Sequence, residues 1–129
     1  MFTPSGTLVD TFPVPGCTNG PTGLALGDNQ RFLGACANGA AAVEVRTGKV
    51  HMIVPDVGGA DEVLSNPGDH NFYFGISAGP KLGIVDGNND HVVAVLSGHG
   101  GHSVAAYAGN DQVFSPEKAA TGIAVFTNN

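Results

Sequence analysis

Three features of the sequence predict an all-β fold assembled from a repeated four-stranded unit. The first is internal similarity. Residues 20–26, 59–65 and 101–106 align, and placing Gly23, Glu62 and Ser103 in one column spaces the copies 39 (62 − 23) and 41 (103 − 62) residues apart. The second is rhythm: short runs rich in Val, Ile, Leu and Phe alternate with clusters of Gly, Asn, Asp and Pro, as strands alternate with tight turns. The third is composition. Only 12% of residues are charged, 20 are glycine and 42% are hydrophobic, which suits short strands around a real core and suits long helices badly. Four short antiparallel strands per forty or so residues is the arithmetic of a β-propeller blade.

Taken in order, the chain opens with an extra apolar segment, residues 7–14, that reads as the outer strand of a blade. Its residues 7–12 correspond to 49–54. The first full unit then has an inner run at 24–26, a polar turn at 27–30, a second run at 32–36, a third at 42–45, a turn at 46–49 and an outer run at 50–54. The second unit repeats this with runs at 63–65, 72–76, 82–86 and 91–96, and turns at 66–69 and 87–90. The third has runs at 103–106, 113–115 and 122–126, with Pro116-Glu117-Lys118 where the earlier units carry a glycine-bearing loop. Several runs are apolar at every position, as expected for sheets covered on both faces. No stretch of ten or more residues has helical periodicity with caps.

The organisation expected is therefore one outer strand (1–14) that completes another blade, blade one (20–58), blade two (59–98) and an incomplete blade three (99–129). Propellers close with four to eight blades, and three blades leave two sheet faces bare. The simplest closure is a homodimer forming a six-bladed ring, each N-terminal strand completing its partner's last blade. A fragment of a longer propeller and a small repeating sandwich are the alternatives.

The stretch 21–26 followed by 28–33, the stretch 43–50 and its echo at 84–88 resemble the YVTN and NHL type of propeller repeat, and more loosely the gluconolactonase and senescence-marker propellers. The resemblance spans residues 20–127. It implies the propeller fold, while activity varies widely among proteins of this architecture.

Charge excludes some partners. The formal net charge is −6, and the five basic residues, Arg31, Arg46, Lys49, Lys81 and Lys118, are scattered. A nucleic-acid partner needs a basic stripe, and an anionic membrane surface needs a basic cluster. No apolar run is long enough to span a bilayer, and the first residues lack the basic end and apolar core of a signal peptide. The chain is expected to be cytoplasmic, or exported after removal of a leader. Cys17 and Cys36 lie 19 positions apart and are expected as free, half-buried thiols, with a disulfide as the alternative.

In a propeller the loops entering the inner strands ring the channel mouth, which gathers 21–23, 60–62 and 99–103 at one rim. Imidazoles three apart at His99 and His102, on a glycine-rich loop, suit a borderline metal. Asp61 and Glu62 offer carboxylates. The expected roles are Asp61 as catalytic base and Glu62, His102 and His99 as ligands of a divalent metal, zinc, calcium or copper. The gluconolactonase resemblance likewise implies a divalent metal at the channel mouth. His51, His91 and His70 are expected at the surface, and Tyr73 to pack with its hydroxyl bonded. No G-x-S-x-G, Walker or H-E-x-x-H motif is present. Two functions follow: a metal-dependent hydrolase or lyase acting on a small oxygenated substrate such as a lactone, or a non-catalytic module that binds a small molecule or a protein.

Overall fold

The structure is a computed structural model, and it describes residues 6–117 and 119–127. Parts of the expected N-terminal strand (1–5) and of blade three (118, 128 and 129) lie outside the described residues.

Among the described residues, eleven strands form three antiparallel sheets. Blade one comprises β1 (Leu24–Leu26), β2 (Arg31–Cys36), β3 (Gly39–Glu44) and β4 (Val50–Val54). Blade two comprises β5 (Ala60–Asn66), β6 (Asn71–Ile76), β7 (Lys81–Asp86) and β8 (His91–Ser97). Blade three has three described strands, β9 (Ala105–Tyr107), β10 (Gln112–Glu117) and β11 (Gly122–Thr127). Within each sheet the strands lie in chain order, so every connection is a hairpin. Across the sheets the inner strands are neighbours, β1 beside β5 and β5 beside β9. This is the packing of consecutive propeller blades, with the fold class as expected from the repeat.

The hairpins close by local chemistry. Residues at equivalent turn positions adopt the left-handed region: Gln30 (φ 58), His70 (φ 60) and Asp111 (φ 53). Side chains of Asn and Asp hold these turns by accepting backbone N–H bonds two residues on, as at Asn66–Gly68, Asp69–Asn71, Asp86–Asn88 and Asn110–Gln112. The outer hairpins of blades one and two carry a bulge at the same register position, between Ala42 and Val43 and between Ile84 and Val85. That shared irregularity strengthens the twist of both sheets at one place.

The core lies between sheets. Leu33, Ala35, Ala40 and Ala42 of blade one pack against Phe72, Phe74, Ile76 and Val85 of blade two. On the other face of blade two, Tyr73 and Leu82 pack against Val104 and Val113 of blade three. All six residues of β6 are buried, which explains its uninterrupted apolar run.

Two expectations need correction. Cys17 and Cys36 are not free thiols; they form a disulfide with Cα atoms 5.3 Å apart. The loop before β1 folds back over the end of β2, where Asn38 accepts from the Thr18 N–H and donates to the Gly16 carbonyl, and this brings the sulfurs together. Nor is the free face of blade one wholly bare. Val14 and Cys17 pack on Cys36, Ala41 and Val43, and the Phe12 ring lies 6.0 Å from that of Phe32. Residues 6–14 form no strand in the single chain. A strand needs an edge to pair with, and in the two-chain reading that edge belongs to a partner.

Candidate functional site

Asp61 owes its position to an irregularity. The β5–β6 ladder shifts between Ala60 and Glu62, so Asp61 is the unpaired residue of a bulge. A bulge re-aims one side chain, and here Asp61 turns out to solvent at the rim. Glu62, next in the chain, resumes the ladder opposite Gly75.

His102 reaches Asp61 because Gly75 lets its loop come close. A Cβ on Gly75 would stand 2.9 Å from the carbonyl oxygens of both Gly101 and His102, so only glycine admits the loop there. The result is a pair in which His102 Nδ1 lies 2.5 Å from Asp61 Oδ2, and both side chains are well exposed. Ser77, from the β6–β7 turn, donates its hydroxyl to the same carboxylate oxygen at 3.4 Å.

Glu62 turns elsewhere. Its Oε2 accepts the Val104 N–H at 3.3 Å, tying blade two to the start of blade three. His99 turns away again: its Nδ1 lies 2.9 Å from Glu117 Oε1, and its ring meets Phe126 edge-on at 5.3 Å. Gly98 (φ 82) and Gly100 (φ 111) supply the left-handed conformations that separate His99 from His102 along this loop.

All four expected site residues therefore lie in the rim segments that the sequence places together. They divide into an Asp61–His102 pair, a Glu62 backbone contact and a His99–Glu117 pair. Among the described residues no three His, Cys, Asp or Glu side chains gather in a group that could hold a metal ion. As arranged, the expected ligand set does not make a metal cage.

Beside these pairs runs an open groove of about 390 Å³, lined by the loop 100–103 on one side and by Pro116, Glu117, Thr121 and Gly122 on the other. Its lining is mostly apolar, with the His102 imidazole and the Ser103 and Thr121 hydroxyls as polar groups, while Glu117 is already paired with His99. Sequence reasoning did not assign Ser77 or Glu117. Ser77 is a turn residue like many others, and Glu117 sits beside Pro116 at the least regular part of the repeat.

His51 and His91 are exposed, and His70 pairs with Asp28 across blades at 2.8 Å. Tyr73 is buried and donates to Asp69 Oδ2 at 2.5 Å; burial, and then the Asp69 carboxylate, hold its phenol above the usual range. Asp90, also buried, bonds Arg31 of the neighbouring blade, and burial pushes its carboxyl up against the pull of that guanidinium.

Neither a protein family nor a curated protein matches the sequence. Solved structures do resemble the fold. Hydrazine synthase from Kuenenia stuttgartiensis superposes with a TM-score of 0.73 at 14% identity, over 95% of this chain and 36% of that one. The WD40 repeats of RRP9 superpose with a TM-score of 0.61 at 12% identity, over 83% of this chain and 38% of that one. The chain thus spans little more than a third of each, and the likeness is one of fold: these are β-propeller blades.

Proposed function

We propose that the chain is a non-catalytic binding segment of a propeller of the YVTN and NHL type, with the groove beside His102 holding a small oxygenated molecule. The observation that carries this reading is the internal pairing of the candidate residues. Asp61, Glu62 and His99 each have a partner within the protein, so they stiffen the rim, and the groove beside them has a mostly apolar lining with a few polar groups at its margin. A small set of polar groups around a concave surface is how such ligands are oriented. The Cys17–Cys36 bridge supports an oxidising compartment as the place of work.

A second reading rests on one specific contact. With Asp61 holding Nδ1 of His102, the Nε2 atom is left to face solvent beside the groove, the arrangement of a general base oriented by a carboxylate. Hydrolysis of a lactone would then proceed without the expected metal.

One titration separates the two. Gluconolactone added to protein free of a histidine tag should shift the amide resonances of Gly100, Gly101, Ser103 and Gly122, with the lactone consumed no faster than in buffer. Added zinc or calcium should leave the melting temperature unchanged. Hydrolysis above the buffer rate that disappears in His102→Ala would replace the binding reading with the catalytic one. One bound metal per chain, lost in His102→Ala, would restore the metal-dependent enzyme.

A further inference from the structure

Each internal joint joins a leading face of one blade to a receiving face of the next, and register fixes which residues these are. The leading face of blade one presents Leu33 opposite Ala42 and Ala35 opposite Ala40; in blade two the same positions are Tyr73 opposite Ile84 and Gly75 opposite Leu82. In blade three they are Phe114 opposite Val125 and Pro116 opposite Ile123. The inner strands agree, with Ala25, Leu64 and Ala105 in one row.

The burial of these positions differs sharply. Ala40 and Leu82 are 0% exposed because the next blade covers them, whereas Ile123 is 71% and Val125 52% exposed. The receiving faces show the converse. Val63 and Val104 are 7% and 6% exposed under the preceding blade, while Leu24, at the same register position in blade one, is 62% exposed, as is Leu26. Apolar side chains left out at both ends, in positions that are buried or half-buried at the internal joints, are the two halves of a third joint.

The connection into blade one has the internal pattern as well. Val14-Pro15 recurs as Val54-Pro55, and Cys17 lies on blade one where Val57 lies on blade two. Ahead of it, residues 6–14 hold the place of an outer strand, with Leu8 and Val9 almost fully exposed. What is missing from this joint is a leading face.

We propose that a second copy of this chain supplies it. Blade three of one chain, through Ala105, Phe114, Ile123 and Val125, packs on Leu24, Leu26 and Phe32 of blade one in the other, and the reverse contact closes the ring. One chain carries both halves, so a second copy has what each end lacks. Six is the one multiple of three within the four to eight blades of known propellers, which sets the number of chains at two. In this ring residues 6–14 pair with the open β11 edge of the partner, completing its blade. The proposal is independent of what the rim groove binds.

Light scattering at micromolar concentration tests it. The wild type should weigh about 26 kDa, twice the 13.0 kDa chain. Ile123→Asp with Val125→Asp spoils only the leading half, and Leu24→Asp with Leu26→Asp only the receiving half; each double variant should be monomeric. All four sites are exposed in the single chain, and circular dichroism will verify that each variant folds. Mixing the two variants should restore a 1:1 pair, because the intact receiving half of one meets the intact leading half of the other. A folded wild-type monomer overturns the proposal. So does a dimer that survives in either variant, since two like faces would then be meeting, and so does failure of the mixture to associate.

Discussion

Residues that look interchangeable in the repeat take different roles once their neighbours are known. Phe32 and Phe72 occupy one register position, and the next residues are Leu33 and Tyr73. Tyr73 is the exception among these apolar positions, because it brings a hydroxyl into the joint between blades two and three and must satisfy it. Asp69 does so from the preceding turn. Since the folded protein holds this phenol protonated above its ordinary range, the unfolded chain loses its proton first as pH rises. The contribution of Tyr73 is therefore complete below about pH 10, the pKa of a free tyrosine, and is lost above it. Tyr73→Phe should cost about 1–2 kcal/mol at pH 7, because the bond is lost and Asp69 is left short of a donor. It should also flatten the alkaline fall in stability. Urea unfolding of both proteins between pH 7 and pH 11 measures this; parallel curves would show that another group governs the alkaline limb.

Among the elements, the loop from Val14 to Gly23 differs most from its counterparts. The equivalent connection into blade two is held by the burial of Val57 against Gly83, under a sheet already in place. The connection into blade one lacks that cover in the single chain, and the Cys17–Cys36 bridge and the two Asn38 hydrogen bonds hold it instead. A bridge across 19 residues removes enough freedom from the unfolded chain to stabilise the fold by about 3 kcal/mol. Replacing both cysteines with alanine should lower stability by roughly that amount in denaturant unfolding. It should also expose residues 6–22 to limited proteolysis while blade two resists. Equal stability of the two proteins would mean that Asn38 and apolar packing suffice.

For the whole molecule, the balance of buried and exposed apolar surface is set by how many joints are closed. Two joints are closed within one chain, and the faces of a third stand open at its ends. If a second copy closes them, unfolding is coupled to dissociation, and the melting temperature must rise with protein concentration. A hundredfold increase in concentration should raise it measurably in the wild type and leave it unchanged in the variant with Asp at 123 and 125. A melting temperature independent of concentration in both would mark the single chain as the stable unit.

Apart from the N-terminal segment 7–14, which forms no strand in the single chain, strand positions, turn positions and the blade count were legible in the sequence, because they depend on local matters: β-branched and aromatic runs, Asn, Asp and Gly at turns, and a recurring spacing. The rim segments were legible in part: 99–103 is a loop before an inner strand as expected, whereas 60–62 already belongs to β5, with Asp61 in a bulge. The pairing of side chains within the rim was not. Whether His102 meets Asp61 or Glu62 depends on a bulge that takes Asp61 out of the ladder and on Gly75 admitting a neighbouring loop. Whether His99 joins them depends on backbone turns at Gly98 and Gly100 that aim it at Glu117, 18 residues further along the chain. The disulfide was hidden likewise, for a separation of 19 residues does not say how a loop folds back. Local propensity determined the blades; contacts across space, between residues distant in the chain, decided what the site became.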